Sequence, residues 1–321
     1  MKALVIGKAN YNYILPLQEF PKDGDKFYID NSIKCVNDLG SVLSVTLASF
    51  GIDTSITTVV GDDDLGRKIK EFYNSYNIDT KYIETVYQNT TNSNYSIYNI
   101  KTNTFTNIVE TKMDSSLTKY KYEFIPDVII MDDGDYGANM AAINNYPNSN
   151  LIYIGQSYKN GREVYANKCK YVIATLDFAS NITGILNNLN KPKTIINIFQ
   201  KYMDMYSSNL IIKLSSFDFL YCVNDEVRLI KNVNNNLKNK DYVYYSVLVY
   251  FLINTNDIEN SIKYTNKLML SSKNELNMIL NIPDRVEANK LLQELVSNNS
   301  NNNTIETLNT DIPSNEGNNV S

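Results

Sequence analysis

Short apolar runs, each closed by glycine or polar residues, recur along the chain. KALVIG ends at Gly7 and SITTVVG at Gly61, and PDVIIMDDG, NLIYIG, KYVIAT and SNLIIKL repeat the pattern. Such runs, without alternation, predict strands that are apolar on both faces, as in a parallel sheet covered by helices. Between them the apolar positions return at helical spacing. Leu39, Val42, Leu43, Thr46, Leu47 and Phe50 share one face of a helix predicted over 39–50, and Gly51 stops it. A second amphipathic helix is predicted over 65–76, with Arg67, Lys68, Lys70 and Glu71 facing water. Strands alternating with helices predict an α/β fold on a doubly wound, mostly parallel sheet flanked by helices.

Two stretches break this rhythm. Residues 27–36 and 95–110 alternate apolar and polar side chains, which predicts short antiparallel strands with one wet face, forming a small sheet beside the main one. Near Asn298 the periodicity and most apolar residues end, so an Asn-rich tail over 297–321 is expected to be disordered.

Composition narrows the chemistry. A chain of 321 residues, 43% hydrophobic, can bury a large core, as one large unit with a small appendage. A net charge of -5 without a basic block argues against a nucleic-acid surface and leaves a small molecule or a protein as partner. There is no histidine, so acid–base work falls to Asp, Glu, Lys, Tyr or Cys. Cys35, Cys169 and Cys222 are too far apart for a disulfide framework or a zinc signature and read as reduced thiols. The first apolar run is too short for a signal peptide and the run over 244–253 too short to span a bilayer, so a cytoplasmic protein is expected.

Asp241 is the one acid between a lysine-studded loop and the apolar run YVYYSVLVYFLI, where a helix is predicted over 242–253. It either caps that helix or acts as a base. Asp62, Asp63 and Asp64 fit a turn and helix start. Asp132, Asp133 and Asp135 follow a buried strand, at the end of an open α/β sheet where ligands bind.

VVGDDDLGRKIKEFYNSYNIDTKYI resembles the ribokinase (PfkB) family of carbohydrate kinases, with its V-G-D-D-x-x-G turn before a helix and its later I-D-T. LASFGIDTSITTVVG, the opening VIGKANYNYILPLQEFPKDGDKF, and the segments from PDVIIMDDGDY to NIPDRVEANKLL follow in the family's order. The resemblance implies a ribokinase-like domain over 1–296, with a β-sheet lid from about 12–36 and 90–112. It also implies ATP-dependent phosphoryl transfer to a hydroxyl of a sugar-like substrate, with Mg2+, and a homodimer through the lid.

By the same resemblance Asp241 is the catalytic base, at a helix start whose backbone N–H groups hold the phosphate. Asn12, Asn37, Asp38 and Val42 take the positions that contact the sugar. Lys213 and Ser215, with Leu214 and Asp218, take those of the strand and turn near the nucleotide, and Lys238, Asn239 and Lys240 border the phosphate.

Several of these positions depart from the family pattern. Lys238, Asn239 and Lys240 replace Gly-Ala-Gly, which puts side chains where a backbone anion hole should form. Their two ammonium groups are candidates to hold phosphate as point charges in its place. Asn12 replaces an aspartate and Val42 an asparagine. Thr175 and Phe178 stand at the ends of the magnesium-organising N-x-x-E motif, with no carboxylate. An alternative is therefore a pseudokinase that keeps the pocket as a ligand-binding or dimerisation module; a purely structural protein with a filled pocket is a third.

Overall fold

The computed structural model describes residues 1–113, 116–118, 120–186, 192–214, 217–232 and 237–297. The predicted tail from 298 onward lies outside the described residues.

The chain opens with strands β1 (Lys2–Ile6), β2 (Tyr11–Leu17) and β3 (Ile33–Val36), helix α1 (Leu39–Ser49), β4 (Asp53–Gly61), helix α2 (Asp64–Ser75) and β5 (Ile83–Val86). A hairpin, β6 (Ser93–Asn99) and β7 (Thr104–Glu110), precedes the alternating centre. There β8 (Val128–Met131), α3 (Tyr136–Asn145), β9 (Asn150–Gly155), α4 (Glu163–Lys168), β10 (Tyr171–Thr175), α5 (Leu176–Thr183), α6 (Pro192–Met205) and β11 (Asn209–Lys213) follow in turn. A second hairpin, β12 (Phe219–Val223) and β13 (Glu226–Ile230), leads to α7 (Asp241–Thr255), α8 (Ile258–Leu268) and α9 (Arg285–Ser297).

Among the described residues the strands form two sheets. The nine-stranded sheet runs β13-β12-β11-β10-β9-β8-β1-β4-β5, parallel from β5 to β11, with β12 antiparallel to both its neighbours. Its interior strands are apolar on both faces because both are covered: Ala3 and Val5 of β1 face the core under α1 and α7, and Leu4 and Ile6 that under α3 to α6. Helix α7 is buried from Val243 to Ile253, as a helix apolar on every side must be. No helix among the described residues is long and apolar enough to cross a membrane.

The small sheet, order β3-β2-β6-β7, is the expected lid. It departs from expectation in two ways. It is mixed, since β2 runs parallel to β6 and only the outer pairs are antiparallel. The alternation over 27–36 forms a strand only at Ile33–Val36; Phe27, Tyr28 and Ile29 are exposed and meet no surface that would bury one face. The β12–β13 hairpin, not predicted above, turns at Asn224 and Asp225, both at positive φ, the conformation a tight two-residue hairpin needs.

Candidate active site

The lid overhangs the carboxyl ends of the central strands and encloses a cleft of about 550 Å³. Into it project Asn12, Asn37 and Asp38 from one side and Lys213, Asn239 and Asp241 from the other. Six of the ten candidate site residues are thus brought together although they are scattered from position 12 to 241.

Asp241 is the first residue of α7, where a carboxylate interacts favourably with the helix dipole. It is not the cap: Lys240 takes that position, with no side-chain capping bond. The Asp241 carboxylate is 39% exposed toward the cleft and accepts an ion pair from Lys213 Nζ at 2.7 Å. Lys213 closes β11, and its ammonium lies 4.1 Å from the centroid of the Phe217 ring.

At the other end, Asp38 Oδ2 accepts from the Asn10 backbone N–H at 2.6 Å, and its Oδ1 from Asn94 Nδ2 at 3.3 Å. The same Asn94 amide donates to Asn12 Oδ1 at 3.1 Å, so a lid strand is tied to both substrate-site candidates. Burial pushes the Asp38 carboxyl up to about 6 against the pull of its hydrogen bonds from Asn10 and Asn12. Nearby Asp132 is pushed up to about 7, also by burial first. Asn37 Oδ1 accepts from the Met278 N–H at 2.9 Å.

Three candidates lie elsewhere among the described residues. Val42 is fully buried in the core between α1 and α7 and does not reach the cleft, because its helix turns that position inward. Lys240 is only 1% exposed, and its Nζ donates to Ser272 O at 3.3 Å; burial pulls this ammonium below its ordinary pKa. Lys238 Nζ reaches the lid instead, donating to Thr102 O at 2.8 Å. The two loop lysines therefore point away from the phosphate position proposed for them. Ser215 lies outside the described residues.

The expected acidic turns are structural. Asp63 caps α2 through the Gly66 N–H at 2.9 Å and holds Thr91 Oγ1 at 2.6 Å. Asp135 caps α3 through the Ala138 N–H. Thr175 spends its hydroxyl on capping α5, accepting from the Phe178 N–H, and on Gln156 O, while Phe178 is wholly buried. Such a donor set does not fit a protein-held magnesium ion. Sequence reasoning missed Asn10, Asn94 and Gln156, polar residues on strands or loops with no local sign of their use.

The family model for pfkB carbohydrate kinases matches residues 42–285. The chain belongs to the pfkB family. Among solved structures, this family member superposes on Arabidopsis thaliana ribokinase complexed with ribose and ATP (14% identity, TM-score 0.74, covering 91% of this chain and 98% of that one). Thermotoga maritima ribokinase gives 16% identity and a TM-score of 0.74 over 91% and 99% of the two chains. Methanocaldococcus jannaschii nucleoside kinase, at 12% identity and a TM-score of 0.69, covers 91% and 98%. At these identities the superpositions establish the ribokinase-like fold of this pfkB family member. Comparison with curated proteins returned no match.

Proposed function

We propose that the protein transfers the terminal phosphoryl group of ATP to a hydroxyl of a sugar-like substrate. Asp241 serves as the base, and Asn12, Asp38 and Asn94 hold the acceptor. The single observation that carries this reading is the shared cleft: Asp241 and Lys213 at one end, an amide-rich wall under the lid at the other. A carboxylate can take the acceptor's proton as its oxygen attacks phosphorus, and an ammonium beside it offsets the charge on the phosphoryl oxygens. Arabidopsis thaliana ribokinase, bound to ribose and ATP, supplies the substrate classes to try. ADP release from ATP with a panel of pentoses, hexoses and nucleosides tests the reading; no release with any acceptor would overturn it.

A second reading, a binding module without turnover, is favoured by one feature. The loop before Asp241 commits Lys238 and Asn239 to the lid rather than to an anion. Acceptor-dependent stabilisation without ADP release would select it. The exposed Ile108 on β7, the outer strand of the lid, supports the lid-mediated homodimer that the resemblance implies.

A further inference from the structure

Phosphoryl transfer places negative charge on the moving group, and something must face it. In this chain the loop at 238–240 carries side chains where glycines would let backbone N–H groups approach, and both its lysines are engaged elsewhere. Lys8 and Lys213 are the lysines that line the cleft among the described residues, and Lys213 is the one in contact with Asp241. Its side chain is 9% exposed, so the stem is packed and the ammonium is held against the Asp241 carboxylate.

We propose that Lys213 replaces the backbone anion hole, binding the terminal phosphate of ATP, and that Asp241 holds this ammonium in place until nucleotide arrives. This rests on the phosphotransfer reading above. The polyphosphate takes over the ammonium, and a carboxylate oxygen of Asp241 is released to act as base. The acceptor oxygen then forms its bond to the terminal phosphorus as the bond to the bridging oxygen breaks. The electron pair of that bond leaves with ADP, and the acceptor's proton goes to Asp241. An ammonium suits the task because it engages phosphate as a compact charge without needing a shaped loop.

The test compares thermal stabilisation by ATP and by ADP in the full chain and in Lys213→Met and Lys213→Arg. In the unsubstituted protein ATP should stabilise more than ADP. In Lys213→Met that difference should vanish, with ATP affinity falling at least tenfold and ADP affinity within about threefold, and Lys213→Arg should restore part of it. A purely structural ion pair would lower the unliganded melting temperature and leave the ATP-over-ADP difference intact. ATP stabilising Lys213→Met as strongly as the unsubstituted protein would overturn the inference while leaving the phosphotransfer reading standing. No stabilisation of the unsubstituted protein by either nucleotide would remove both. Should Lys213→Met fail to fold, the same comparison with Lys213→Gln decides.

Discussion

Asn239 donates its side-chain amide to Asn103 Oδ1 at 2.9 Å, joining the loop before Asp241 to the turn of the lid hairpin β6–β7. With the bond from Lys238 Nζ to Thr102 O at 2.8 Å, it fastens the lid over the cleft on the side of Asp241. Each such bond is worth roughly 0.5–1.5 kcal/mol. The double variant Lys238→Ala, Asn239→Ala should therefore speed amide exchange in the hairpin turn around 100–103 by about tenfold. Exchange in α7 should stay unchanged; equal acceleration there would mean that the clasp supports the whole domain.

Asp241→Asn keeps the shape of the side chain and an acceptor for Lys213 but removes the base. Turnover should fall by about 10² to 10⁴-fold, the usual contribution of a positioned base, with nucleotide-induced stabilisation retained. Initial rates of ADP release and a melting curve with ATP check both halves. Undiminished turnover would show that another group takes the proton.

Stability should depend on pH through two carboxyls, the half-buried Asp38 and the buried Asp132. Asp38 and Asp132 titrate at about 6 and about 7 in the fold, above the ordinary 3.8 of an unfolded chain. The folded state thus holds protons that the unfolded state has released, so their contribution is most favourable below about pH 4 and is lost as pH rises through 6 and 7. The loss is on the order of 3 kcal/mol for Asp38 and 4 kcal/mol for Asp132. Asp132→Asn should raise the melting temperature at pH 8 and change it little at pH 4. A variant as pH-dependent as the unsubstituted protein would contradict this assignment.

Val42 stands where the family pattern has a sugar-contacting asparagine, yet it is sealed in the core. Val42→Asn should bury an unpaired amide and cost about 1–3 kcal/mol, with no gain in affinity for any acceptor. Urea denaturation read beside acceptor titrations separates the two effects.

The lid shows where local patterns lose their force. The alternation over 95–110 folds as a hairpin, because Ser93–Asn99 and Thr104–Glu110 pair with each other directly. The same kind of alternation over 27–36 pairs with β2 only at its end, over Ile33–Val36. Alternation reports a face that can be buried; whether a partner covers it depends on the rest of the chain.

What the sequence determined by itself is what neighbours in the chain can enforce. The apolar runs became the sheet, the spacing over 39–50 became α1 and Gly51 ended it at positive φ, and Asp63 capped α2 three residues from its partner Gly66. These follow from backbone geometry and burial within a few residues. Tertiary structure decided the rest: Lys213 meeting Asp241, Asn94 reaching Asn12 and Asp38, Lys240 turning inward, and Val42 leaving the site for the core. None of these has a local signal, because a side chain's partner is set by which elements the fold sets side by side, and its direction by the packing around it.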